Sequence, residues 1–267
     1  MINQWASRVL RLSSSPVEML QEGVLKVITR VGDRTALFSD LRSMTVQYLL
    51  RHALSQVISE CIVNSLIVTD SAEENAGFTR VHESLLSCTF ISILYILGNV
   101  ALTTSLVNVP GAAVWRRHTF SVAVQSVRSE LLEQIFDRKM PFLAGLLPGN
   151  TADLLGTRDV LEDAFKFSCM LRGTNTEGDA LYRSYVPKLG STLHMGLVEL
   201  VKPCRCIQRG EVDRVGATVF PGLFELLPVL FAAQSVVRRA QVICECELAT
   251  TDVKLAPYIL PIPLPAT

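Results

Sequence analysis

The chain has 267 residues, of which 49% are hydrophobic and 19% charged, with 15 glycines and 12 prolines. That length and apolar content suffice for a sizeable core and exclude a disordered, low-complexity or fibrous protein. Twenty-five Lys and Arg balance twenty-five Asp and Glu, so no global field draws the chain to nucleic acid or to an anionic membrane.

The first half reads as helices. Ser15-Pro16-Val17-Glu18 has the form of a helix start: serine to accept an orphan amide, proline for the first helical position, glutamate to close a capping box. Met19, Leu20, Val24, Val27, Ile28 and Val31 follow at helical spacing, and Gly32-Asp33 ends the pattern. A longer helix is expected after Ser39-Asp40, with Leu41, Met44, Tyr48, Leu49, Ala53, Val57 and Cys61 near one face. Beyond Trp115 the stripe Phe120, Val124, Val127, Leu131, Ile135 and Phe136 predicts another, and Val160, Leu161, Ala164, Phe165 and Leu171 a further one. Tyr182, Tyr185, Val186, Leu189, Leu193, Leu197, Leu200 and Val201 also recur every three or four residues and predict a helix that Pro187 kinks or divides.

The last third is less regular. Val212 to Leu223 reads as strand or loop, and Val229 to Leu248 has helical or strand character. Ala256 to Thr267 carries Pro257, Pro261, Pro263 and Pro265, the composition of an extended tail.

One segment stands apart: from Ser84 to Trp115 there is no Asp, Glu, Lys or Arg. Three readings compete for it. It is a buried core element, a single membrane span over 88–109 with Arg116-Arg117 on the cytoplasmic side, or the translation of an unspliced intron. If it is foreign to the fold, residues 88–109 are expected to project from it or to lie poorly ordered, because contiguous exposed apolar surface is costly in water.

Chemistry-bearing motifs are few. Cys204-Arg205-Cys206 and Cys244-Glu245-Cys246 together offer four thiolates for a tetrahedral zinc ion. The Cys-x-Cys spacing is tighter than that of ordinary zinc knuckles, so the expectation is no metal and four separate buried or half-buried thiols, with Cys204, Cys206, Cys244 and Cys246 the set that would hold zinc. Seven cysteines leave one over from any pairing, and the N-terminus has no secretory pattern, so reduced thiols are expected. His52, His82, His118 and His194 form no metal spacing, and His194 with Cys204 has no local catalytic signature. The glycines form no dinucleotide or phosphate loop, so no cofactor is implied. Trp115-Arg116-Arg117-His118 and Arg238-Arg239 could contact phosphates but read as solvated helix faces.

Four phrases resemble an uncharacterised protein family of filamentous fungi: Val63 to Ser71, Val114 to Arg117, Arg209 to Thr218 and Val236 to Val242. The resemblance covers about 60% of the chain. It implies an intracellular fungal setting and transfers no activity and no functional residue.

The sequence therefore predicts a mainly α fold, an irregular multi-helix domain over 1–202 with a less regular part over 203–255 packed on it and a Pro-rich tail over 256–267. Amphipathic helices without chemistry point to a non-enzymatic, cytoplasmic or nuclear protein whose partner is another protein, with no nucleic acid. An enzyme whose site is assembled from scattered residues, and a protein anchored in a membrane through 88–109, are the alternatives.

Overall fold

A computed structural model describes residues 1–12, 43–65, 109–127, 129–141, 156–172, 181–226 and 234–250, together with scattered positions between 19 and 84 and residue 143. The N-terminal part of the fold is helical. Helix α1 (Ile2–Leu12) buries Trp5, Ala6 and Val9 on one face. Helix α2 (Ser43–Val57) is buried nearly all round, with Val46, Leu49, Leu50, Ala53 and Leu54 inaccessible, so it forms the centre of the molecule. It continues into a π-helical turn, Ile58–Val63, that turns Ser59 and Ile62 inward together.

Helix α3 (Val109–Ser126) carries Pro110 in its first turn, where the missing amide costs nothing. Helix α4 (Ser129–Lys139) has Glu130 in its first turn and Arg138 and Lys139 in its last, complementing the helix dipole. Its Leu132, Ile135 and Phe136 are buried at helical spacing. Helix α5 (Thr157–Arg172) packs Val160 and Leu161 into the same core. Trp5 joins three of these helices: its ring meets Phe136 edge-on at 6.0 Å, and its Nε1 donates to Thr157 Oγ1 at 2.9 Å.

From Leu181 onward the described residues hold six β-strands. Strands β1 (Leu181–Tyr185), β4 (Gly222–Leu226) and β5 (Gln234–Arg238) form one antiparallel sheet in the order β1-β4-β5. Strands β2 (Val198–Leu200), β3 (Val215–Phe220) and β6 (Ala240–Cys244) form a second in the order β2-β6-β3, with β2 parallel and β3 antiparallel to β6. Two short helices, α6 (Arg205–Gln208) and α7 (Glu245–Thr250), follow β2 and β6. Tyr48 of α2 packs with Ala217, Ile243 and Leu248, which lays the second sheet against the central helix.

The described residues are 59% helical and 19% strand, so the protein is mixed α/β and the expectation of a mainly α fold is corrected. The error centres on Tyr182 to Val201. There the apolar spacing mimics a helix, yet the chain forms β1, a connection that includes Pro187 and Gly190, and β2. Pro187 supplies no amide and Gly190 adopts φ +70°, both of which break a helix, while β1 gains its partner β4 from far downstream, Leu181 opposite Leu226 at one end and Tyr185 opposite Gly222 at the other. Such long-range pairing overrides a local periodicity.

No helix among the described residues is long and apolar enough to cross a membrane. The candidate span over 88–109 lies outside the described residues apart from Val109, as does the Pro-rich tail over 256–267. The capped segment from Ser15 to Val31 lies largely outside them too.

Candidate metal centre

Both Cys-x-Cys pairs sit where an extended segment runs into a short helix. Cys204 is extended (φ −88°, ψ 119°) immediately before α6, and its Sγ accepts the Ile207 amide at 3.5 Å. Cys244 ends β6 immediately before α7, and its Sγ accepts the Glu247 amide. In each pair the first sulfur is thus met by the amide three residues on. An amide aimed at sulfur favours the thiolate, the form in which cysteine binds metal.

The sheet brings the pairs together. Val215 lies opposite Cys244, and the Glu245 amide donates to the Arg214 carbonyl at 2.9 Å, which carries the chain to Asp213 beside the second pair. Gly210, at φ +76°, ends α6 and starts the turn that leads there. Arg205 and Glu247 form an ion pair at 3.3 Å between α6 and α7. Gly216 keeps the strands close: a Cβ there would stand 2.8 Å from the carbonyl carbon and oxygen of Cys244.

The result is a cluster of ligand-type atoms. Cys204 Sγ lies 3.6 Å from Cys246 Sγ, and Cys244 Sγ lies 3.5 Å from Cys246 Sγ. Cys204 Sγ donates to Asp213 Oδ2 at 3.0 Å, and Asp213 Oδ1 accepts the Arg214 amide at 2.7 Å. The donor atoms of Cys204, Asp213, Cys244 and Cys246 all lie within 4.8 Å of one another. Sulfurs held about 2.3 Å from a tetrahedral zinc ion stand about 3.8 Å apart, so the observed spacing needs only a few tenths of an ångström of adjustment. Cys206, half-buried on α6, hydrogen-bonds Cys246 but stands outside this inner set.

Crowding shows in the titration of the group. The hydrogen bond to Cys246, helped by burial, pushes Cys206 up to about 12. Burial raises Cys244, and burial with the Asp213 hydrogen bond raises Cys204. Burial alone would raise Asp213, but hydrogen bonds from Cys204 and Cys246 and from the Arg214 amide hold its carboxyl below the usual range. Several thiols this close cannot all ionise without a cation among them.

Of the residues singled out in the sequence, Cys204, Cys244 and Cys246 meet in the inner set and Cys206 flanks it. Among the described residues no histidine joins the cluster: His118 and His194 are exposed, and His52, on α2, is buried against β3. His82 lies outside the described residues. Arg238 stacks on Phe220 at 4.2 Å and Arg239 donates to the Met195 carbonyl at 3.3 Å. The residue that sequence reasoning missed is Asp213, whose sole signal was to lie between two Cys-x-Cys pairs. No protein-family model, curated protein or solved structure matches the chain.

Proposed function

We propose that this chain is a non-enzymatic protein whose β region is organised by one structural zinc ion, and that the scaffold so formed binds another protein. The observation that carries the metal assignment is the convergence of three thiols and one carboxylate within 4.8 Å, with an amide directed at the first sulfur of each Cys-x-Cys pair. Thiolate-dominated sets select zinc, copper(I) or iron–sulfur clusters, and zinc also accepts a carboxylate oxygen. Four protein donors fill a tetrahedral shell and leave no position for water or substrate, which is the mark of a structural and not a catalytic zinc.

The interaction role is supported by exposed apolar side chains on the segment 201–213, which carries Cys204 and Asp213. Val212, next to Asp213, is 82% exposed, and Val201 and Ile207 are exposed as well. Large apolar groups on a surface are a common element of protein-binding faces.

Metal analysis of the full chain, expressed with zinc in the medium and passed through gel filtration, tests the assignment. One zinc per chain is expected, falling to a small fraction in Cys244→Ser. A chain that elutes free of metal, and takes up none when zinc is added, overturns it.

A further inference from the structure

The cluster holds five candidate donors for four tetrahedral positions. We infer that Asp213, and not Cys206, completes the coordination sphere, so that the centre takes a soft divalent ion through three sulfurs and one oxygen. This rests on the zinc assignment made above.

Three observations converge on the choice. Asp213 belongs to the inner set and Cys206 does not. Asp213 is 7% exposed and comes from a different segment than either cysteine pair, so an ion bound there ties α6, the loop before β3 and the end of β6 into one unit. Cys206, by contrast, shares its segment with Cys204 and adds no new connection.

The third observation is electrostatic. Without metal, Asp213 Oδ2 is held by the Cys204 thiol proton. An entering ion expels the thiol protons of its ligands, and the carboxylate is then left 3.0 Å from a thiolate unless it binds the ion itself. Around a dipositive ion, three thiolates and a bound carboxylate leave a formal charge of minus two. Four thiolates with Asp213 still pressed against them leave minus three in a buried site.

Cobalt(II) added to the metal-free full chain reads the donor set, because its sulfur charge-transfer absorption grows with each bound thiolate. The inference expects a three-thiolate spectrum. Cys206→Ser keeps that spectrum and changes affinity by no more than about two-fold, whereas Asp213→Asn weakens binding by about 10–100-fold and shifts the visible bands. Asp213→Cys, which supplies a donor of similar reach, raises the charge-transfer band to that of four thiolates. Zinc leaves the rate at which iodoacetamide labels Cys206 undiminished while it protects Cys204, Cys244 and Cys246; trypsin cleavage after Arg205 separates Cys206 from Cys204 for mass spectrometry.

Loss of one thiolate's absorption in Cys206→Ser, or protection of Cys206 from alkylation by zinc, overturns the inference and leaves a four-cysteine zinc centre standing. Absence of any cobalt(II) charge-transfer band in the unaltered chain overturns the zinc assignment itself.

Discussion

His52 Nδ1 accepts the backbone amide of Thr218 at 3.1 Å, which ties the central helix α2 to strand β3 inside the protein. His52 is 2% exposed, and burial pushes its pKa down to about 4 from an ordinary 6.5. The ring is therefore neutral in the folded chain, as an acceptor at Nδ1 must be.

A pH dependence follows. Above about pH 6.5 the imidazole is neutral in both folded and unfolded chains and has no effect. Between about 6.5 and 4 the unfolded chain binds the proton and the folded chain does not, so stability falls as pH falls. The loss is on the order of 3 kcal/mol across that window. His52→Asn keeps an acceptor near Thr218 without a titratable group. Urea unfolding at a series of pH values is expected to show a flatter profile for the variant, and parallel profiles would contradict the account.

Asn64, just past the π-helical turn, treats β1 as a neighbouring strand would. Its Nδ2 donates to the Ser184 carbonyl and its Oδ1 accepts the Ser184 amide, both at 2.8 Å. Ser59 Oγ adds a hydroxyl contact to Ser184 Oγ at 2.8 Å. Asn64→Ala leaves both backbone groups of Ser184 without these partners and is expected to cost about 1–3 kcal/mol. Hydrogen exchange at the Ser184 amide should quicken in the same variant; an unchanged rate would remove Asn64 from this role.

Gly216 is required by the close approach of β3 to Cys244. An alanine methyl would meet the Cys244 backbone at 2.8 Å and Leu248 Cδ1 at 2.7 Å. Leu248 can shift, but the backbone that positions the second cysteine pair cannot do so without moving the ligands. Gly216→Ala is expected to destabilise the fold by about 1–3 kcal/mol and to weaken zinc binding together with it. Unaltered stability and zinc affinity, measured by thermal unfolding and a competing chelator, would show that the contact is slack.

Local features were legible and long-range ones were not. The helix Thr157–Arg172 could be read from Val160, Leu161, Ala164, Phe165 and Leu171, because its signal and its structure share one segment. The same periodicity misled at Tyr182 to Val201, where the decisive partner of β1 is β4. The two Cys-x-Cys pairs were visible as motifs, but their meeting depends on β6 pairing with both β2 and β3. Asp213 was hidden for the same reason: among Glu211, Val212 and Arg214 it looks like any surface acid, and the register of Val215 against Cys244 is what buries it at the cluster.

X-ray absorption at the zinc edge of the purified full chain tests the central claim most directly. The account predicts one zinc whose shell holds sulfur at about 2.3 Å and a lighter atom at about 2.0 Å, with sulfur in the majority. A zinc surrounded by oxygen and nitrogen alone would contradict it, since the metal would then lie away from Cys204, Cys244 and Cys246.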